Sequence, residues 1–541
     1  MSASPQYLRM SLIALGFLGA MAVAVAEEPA QPAAQASAQP PSASPDGQGQ
    51  RQGTQSRRSN GERSEQRQDQ RSDQRGPGTP AAADERRLPP DSATKQILTL
   101  PGRTLAFTAT AGVIRIYNDK NEPDADIVVT SYQLDGADPR TRPVTFVFNG
   151  GPGSASAWLQ FGNLGPWRIA MTGEALSPSA SPTLMPNAET WLDFTDLVFI
   201  DPVGTGYSRF ANQNEDTRKR LFSVDGDARS IALVIRRWLE KSNRLLSPKF
   251  VVGESYGGIR GPKVVHDLQT REGVGIRGLV LISPVLDFRD FGGSLMRHVA
   301  DLPTMAAVAR EAKGPVTRAD MADVERYAAG DFLLDLVRGE ADTAATNRIA
   351  DKISALTGID QALVRRLAGR MDAIEFRREF DRRDGRVTGR YDASVTGIDP
   401  FPDSSFYRFG DPAADPLEAP LTSAAVDFYN QRLKWRPEGS YVLGSSSVTK
   451  SWDWGRSTDP AQSITQIREI LALDPMMKLF VAHGLFDLAT PYFGTKIQLD
   501  QLPAYASPDR VKLVVYPGGH MFYSRDASRQ GLRGEAEQMM K

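Results

Sequence analysis

Compact apolar runs recur along the chain at helix-length intervals: Thr145-Phe146-Val147-Phe148, Leu197-Val198-Phe199-Ile200, Phe250-Val251-Val252, Leu279-Val280-Leu281-Ile282, Lys478-Leu479-Phe480-Val481 and Lys512-Leu513-Val514-Val515. A strand that is apolar at nearly every position has no face to offer water, so these runs predict a mostly parallel sheet covered by helices on both sides. Ahead of them, residues 104–117 and 127–134 alternate in polarity and predict two antiparallel strands joined by the polar turn 118–126. Residues 225–241, apolar at Ile231, Val234, Ile235, Trp238 and Leu239, predict a crossover helix. The β pattern lapses over 285–410, where 319–338, 347–356 and 360–380 carry helical periodicity, and the core resumes with helical stretches at 422–433 and 461–473. The domain reading is therefore a core over 92–284, a helical cap insertion over 285–410 and a second part of the core over 411–541.

The beginning of the chain has a different pattern. An apolar run over 10–25 follows Arg9 and ends in Ala24-Val25-Ala26, the form of a signal peptide spanning 1–26. An uncleaved anchor is the alternative, although the run is short for a membrane span. Residues 27–91 are rich in Pro, Ala, Gln, Gly and Arg with few large apolar side chains, so burial cannot offset the entropy of ordering them and they predict a disordered linker. Its arginines are read as a solvated tether, with an anionic envelope polymer as the alternative partner. Cleavage would leave no integral membrane span and a periplasmic or secreted protein.

Composition narrows the chemistry. The formal net charge of −1 over 541 residues points to no nucleic-acid partner, and the absence of cysteine excludes disulfides, thiol catalysis and cysteine-ligated metal. With four histidines and no H-E-x-x-H pattern, the sequence predicts neither metal nor cofactor. One stretch does promise catalysis: Phe250-Val251-Val252 runs into Gly253-Glu254-Ser255-Tyr256-Gly257, a G-x-S-x-G elbow. Here glycines on both sides of a serine in a tight strand-to-helix turn let neighbouring backbones approach. A glycine-rich turn with an exposed serine is the plainer reading of that motif alone. Phe148 runs into Asn149-Gly150-Gly151-Pro152-Gly153-Ser154, which lacks the features of a phosphate loop and suits backbone N–H groups aimed at an oxyanion. Asp201-Pro202-Val203-Gly204-Thr205-Gly206-Tyr207-Ser208 reads as a structural turn, with shaping of a substrate cleft as the alternative.

A serine nucleophile needs a base, and in such sheets the order along the chain is serine, acid, histidine. His266 falls on the helix after the elbow, His298 has no strand ahead of it, and His483 stands where an acid is due. His520, in Gly518-Gly519-His520 after the last strand, remains as the base. Asp487, in Gly484-Leu485-Phe486-Asp487 after the preceding strand, is the acid; Asp474 and Asp500 lie off the strand end.

With these motifs in this order, the chain from about residue 104 to the C-terminus resembles the serine carboxypeptidase family. The resemblance implies an α/β-hydrolase fold with a helical cap, and removal of single residues from peptides with a free C-terminus, without metal and at acidic pH. It implies Ser255, Asp487 and His520 as the triad and the N–H groups of Gly151 and Tyr256 as the oxyanion hole. Asn149, Gly150 and Glu254 would bind the substrate carboxylate. Three positions depart from the family pattern: Val147 replaces a usual tryptophan, Asn163 stands about where a glutamate joins the carboxylate network, and Ser154 replaces a cysteine. An esterase or acyltransferase could use the same triad, and a non-catalytic binding module is the third reading. Trp452 and Trp454 are read as packing or cleft-wall aromatics.

Overall fold

The computed structural model describes residues 88–541 apart from 213, 291–292, 456–458 and 506–507. The signal-peptide stretch and most of the linker stretch lie outside the described residues. One ten-stranded sheet organises the fold, in the order Ser92–Leu100, Arg103–Tyr117, Pro123–Leu134, Asp196–Ile200, Val144–Phe148, Lys249–Glu254, Gly278–Ile282, Lys478–Gly484 and Val511–Tyr516, with the short Arg209–Phe210 also pairing against Pro123–Leu134. From Asp196–Ile200 onward each neighbour is parallel, and the first three strands are antiparallel. This is the mostly parallel sheet of an α/β-hydrolase fold.

The apolar runs divide between two faces because successive side chains point to opposite sides of a strand. Val147, Leu197, Phe199, Phe250, Val252, Val280 and Ile282 enter one core cluster, with Leu417, Leu421, Leu532 and Ala536 from the helices Asp415–Asp427 and Asp526–Met540. Phe146, Phe148, Val198, Ile200, Val251, Leu279 and Leu281 enter the other, under Val224–Lys241 and Gly257–Thr270. The crossover helix buries the expected Ile231, Val234, Ile235, Trp238 and Leu239.

Sequence pattern missed the first strand. Ser92–Leu100 pairs with Arg103–Tyr117 over its whole length but buries little beyond Leu98 and Leu100, so its outer part carries no apolar signature. Two residues at the end of the stretch read as linker, Pro90 and Asp91, also make contacts with the residues that follow. The indole N–H of Trp435 donates to the Pro90 carbonyl at 3.0 Å, and Asp91 accepts from the Val113 N–H at 3.2 Å and pairs with Lys241 at 2.5 Å. These contacts tie residues 90 and 91 to the buried Trp435 and to the exposed edge at Val113 and Lys241.

Between the strands Gly278–Ile282 and Lys478–Gly484 stand the helices Leu295–Glu311, Ala322–Tyr327, Leu333–Arg338, Thr343–Thr357, Gln361–Arg366 and Ala373–Glu379. The expected helix over 360–380 is two helices, broken where Ala368 and Gly369 take positive φ. The third core cluster joins Val299, Leu302, Met305, Ile349 and Phe376 of these helices, with Phe332 just ahead of Leu333–Arg338, to Leu485, Phe486, Leu488, Tyr492 and Phe493. The cap is thus packed on the loop that carries Asp487. Among the described residues no helix is long and apolar enough to cross a membrane.

Candidate active site

Lys249–Glu254 ends at Ser255, whose φ of 61° is a left-handed conformation that a side chain disfavours. The strain is held by backbone bonds: the Ser255 N–H donates to Ile282 at 3.0 Å, and its carbonyl accepts from Val285 at 3.1 Å and Gly258 at 2.8 Å. A Cβ on Gly253 would lie 2.7 Å from the Gly257 carbonyl, and one on Gly258 would lie 2.3 Å from that of Val285. Gly257 itself has room for a Cβ, so the second close approach falls one residue beyond the G-x-S-x-G motif. The helix Gly257–Thr270 points its N-terminus at the serine.

The glycine loop lies directly on this elbow. A Cβ on Gly150 would come within 2.4 Å of the Tyr256 nitrogen and 3.0 Å of the Ser255 Cβ, and Gly151 has φ of 100°. The N–H groups of Gly150, Gly151 and Tyr256 have no acceptor among the described residues. Two buried groups hold the loop. Arg260, paired with Asp227 at 2.7 Å, donates to the Asn149 carbonyl, and Asp201 accepts from the Ser156 N–H at 2.8 Å. The second contact supports the structural reading of the Asp201 turn, where a Cβ on Gly206 would overlap the Asp201 carboxylate. Trp452 and Trp454 meet Tyr256 edge-on at 5.6 and 5.7 Å, as packing aromatics.

Asp487 and His520 stand at the ends of adjacent parallel strands, as their sequence positions imply. His520 Nδ1 lies 2.7 Å from Asp487 Oδ2. Asp487 also accepts from the N–H groups of Ala489 and Thr490 at 2.8 and 3.0 Å, and from the Thr490 hydroxyl at 2.7 Å. Burial alone would raise the Asp487 pKa, but the charge of His520, its hydrogen bond and the Thr490 donors outweigh burial and lower it. Burial pulls His520 down, yet the Asp487 charge and hydrogen bond and the Glu254 charge leave it raised. The Ser255 hydroxyl makes no hydrogen bond among the described residues. The backbone of the elbow is tied to the His520 loop through the strand end between them: Ile282 and Val285 bond the Ser255 backbone, and the Ser283 hydroxyl donates to the His520 carbonyl at 2.7 Å. Catalytic hydrogen bonds commonly shorten only when substrate binds.

The other histidines fall away. His266 faces Glu469 at 3.3 Å near the surface. His298 lies beside Asp372 in the cap. His483 is buried, with both ring nitrogens unpartnered, and burial lowers its pKa to about 3.

Glu254 is the second buried carboxylate. Its Oε1 accepts from the Asn149 amide at 3.0 Å and its Oε2 from the Tyr523 hydroxyl at 2.9 Å. Burial raises its pKa to about 7, against the lowering effects of His520, Tyr523 and Asn149. Asn163, which stands about where the family resemblance implies a glutamate, is buried with both amide atoms unpartnered. Sequence reasoning missed Tyr523 and Thr490. Thr490 could have been found, since Asp-x-x-Thr before Pro491 and a helix is a local turn signature; nothing local marks Tyr523.

Residues 127–295 match the family model for serine carboxypeptidases. Serine carboxypeptidase-like 16 of Arabidopsis thaliana is 29% identical over 199 residues, 35% of this chain and 43% of that protein. Serine carboxypeptidase-like 4 of the same plant is 30% identical over 161 residues, 28% of this chain and 34% of that protein. The chain thus spans less than half the length of these curated relatives. Among solved structures, the prohormone-processing carboxypeptidase KEX1 of Saccharomyces cerevisiae aligns over 80% of this chain and 91% of its own, with 14% identity and a TM-score of 0.49. The family match takes in the glycine loop and the elbow and ends before Asp487 and His520.

Proposed function

We propose that this chain, whose residues 127–295 belong to the serine carboxypeptidase family, hydrolyses the last peptide bond of substrates with a free C-terminus. Ser255 attacks the scissile carbonyl while His520 takes its proton, and Asp487 holds the imidazole in the useful tautomer and stabilises its cation. The N–H groups of Gly151 and Tyr256 receive the oxyanion, a contribution whose loss typically costs about 10²–10³ in turnover. His520 then protonates the departing amine, and water, activated by the same base, releases the acyl group from Ser255.

The observation that carries the exopeptidase reading is a buried glutamate beside the nucleophile with a pKa raised to about 7. Protonated Glu254 can donate a hydrogen bond to the substrate carboxylate, alongside Asn149 and the Gly150 N–H. Ionised Glu254 repels it. A cavity of about 270 Å³, lined by Met171, Leu176 and Leu417 together with Asp392, Ser394 and Arg525, begins at the residue after His520. Since about 150 Å³ holds a benzene ring, it has room for the leaving residue's side chain. Export from the cell, to a periplasm or the exterior, belongs to the same proposal and is supported by the apolar run that ends in Ala24-Val25-Ala26.

The test compares an N-blocked dipeptide bearing a free C-terminal carboxylate with its amide across pH, with Ser255→Ala as the blank. Preference for the free acid, strongest below pH 7 and absent in the variant, is expected. Equal cleavage of acid and amide, or hydrolysis of simple esters alone, moves the function to the esterase and acyltransferase class.

A further inference from the structure

The chain leaves the cap through a small hairpin, Arg386–Thr388 against Thr396–Ile398, and the residues between these strands reach the site. We infer that residues 390–393 form a bracket holding the acid and base loops in register, and that Asp392 is its positioning residue. The inference rests on the triad reading given above.

Bonds between the parallel strands carry the alignment of the two loops only part of the way: Leu485 N–H donates to Tyr516 and Phe486 N–H to Gly518, each at 2.9 Å. Gly519 and His520 lie beyond that ladder, and their N–H groups turn to the bracket instead. The His520 N–H donates to the Tyr391 carbonyl at 2.5 Å, and the Gly519 N–H donates to Asp392 Oδ2 at 2.9 Å. The same segment straddles the acid. Ala393 N–H donates to Phe486 at 2.9 Å, and Leu488 N–H donates to Arg390 at 3.0 Å, one residue to either side of Asp487. The Tyr391 ring meets the His520 imidazole edge-on at 5.1 Å. The approach is close enough to require glycine: a Cβ on Gly519 would stand 2.1 Å from the Tyr391 carbonyl and 2.5 Å from the Asp392 Cα.

Asp392 is itself fixed. Its Oδ1 accepts from the N–H and hydroxyl of Ser394 at 3.0 and 2.6 Å. Arg525 donates to the Ser394 hydroxyl at 2.9 Å and to Glu311, the last residue of the helix Leu295–Glu311, at 3.0 Å. The backbone N–H groups of Arg390 and Tyr391 donate to Asp411 at 2.7 and 3.2 Å. Cap and base loop are therefore one connected polar structure. Without the carboxylate, the Gly519 N–H loses its acceptor in a buried place, and the residue ahead of His520 is no longer tied to the bracket by its own N–H. Misplacement on the ångström scale can slow turnover about a hundredfold.

Two variants test this in the full chain. Asp392→Asn is isosteric but has one oxygen for donors on both sides, so its NH₂ must oppose either Gly519 or the Ser394 N–H; about a tenfold loss of kcat is expected. Asp392→Ala should lose about a hundredfold. Because Asp392 also borders the cavity, each variant is assayed on dipeptides with different C-terminal residues, and KM should stay within about twofold for all of them. The rate of Ser255 labelling by a fluorophosphonate, which needs the triad but neither the carboxylate clamp nor the cavity, should fall in parallel. Thermal melting reports folding, and if the alanine variant does not fold the asparagine variant decides. Labelling of folded Asp392→Asn at the wild-type rate overturns the bracket, as does a loss confined to KM or to one C-terminal residue. Failure of the wild-type chain to label overturns the assignment of Ser255 itself, an outcome separate from any behaviour of the variants.

Discussion

The acid corner and the clamp corner of the site each bury a carboxylate within the field of His520, yet they shift its pKa in opposite directions. Asp487 receives four hydrogen bonds, from Ala489, Thr490 twice and His520, and stays ionised. Glu254 receives two, from Asn149 and Tyr523, and its pKa rises to about 7. Burial is common to both, so it is the donors and the adjoining cation that decide the charge. On the function proposed above, one fold would thereby supply an anion to steady the base and a protonated acid to meet an anionic substrate below pH 7.

Breaking the charged corner has the largest expected effect. Asp487→Asn removes the charge that stabilises the imidazolium and favours the wrong tautomer, so kcat should fall by about 10⁴ with KM little changed. Steady-state kinetics on the blocked dipeptide check it.

Neutralising the other corner acts on pH dependence. A carboxyl raised from 4.5 to about 7 contributes stability that is present below its ordinary pKa and lost as pH rises through 7. Glu254→Gln should therefore match the wild type near pH 4 and exceed it by about 3 kcal/mol at pH 8 in denaturant unfolding. Its preference for free-acid substrates should persist above pH 7. A profile that still falls near pH 7 removes Glu254 from the clamp.

Asp201 provides a control. It too is buried, accepts only the Ser156 N–H among the described residues, and is raised from 3.8 to about 7 by burial. Asp201→Asn should show the same sign of stability gain above pH 7, on the order of 4 kcal/mol, with no change in the preference for acid over amide. The smallest effect is expected from Tyr523→Phe. Removing a donor to ionised Glu254 raises its pKa further, so the upper limb of the pH profile should move to higher pH by less than about one unit.

Part of the site could be read because its chemistry is local. The elbow at Ser255, the glycine loop at Asn149 and the turns carrying Asp487 and His520 each require particular residues at adjacent positions, through positive φ, close backbone approach or the end of an apolar strand. Other parts had no such mark. Ser92–Leu100 is held by pairing rather than by an apolar face, the 360–380 helix breaks at Ala368, and Tyr523 reads as one more aromatic near the C-terminus.

The chain's own residue order thus determined the parallel sheet, the presence of a cap and the candidates Ser255, Asp487 and His520, since periodicity and turn chemistry act over a few residues, whereas Glu254 became a candidate only through the family resemblance. Tertiary structure alone decided the charge of each carboxylate and the joining of residues 390–393 to loops about a hundred residues away. Those outcomes depend on which donors converge in a buried volume. No short stretch of sequence encodes that convergence.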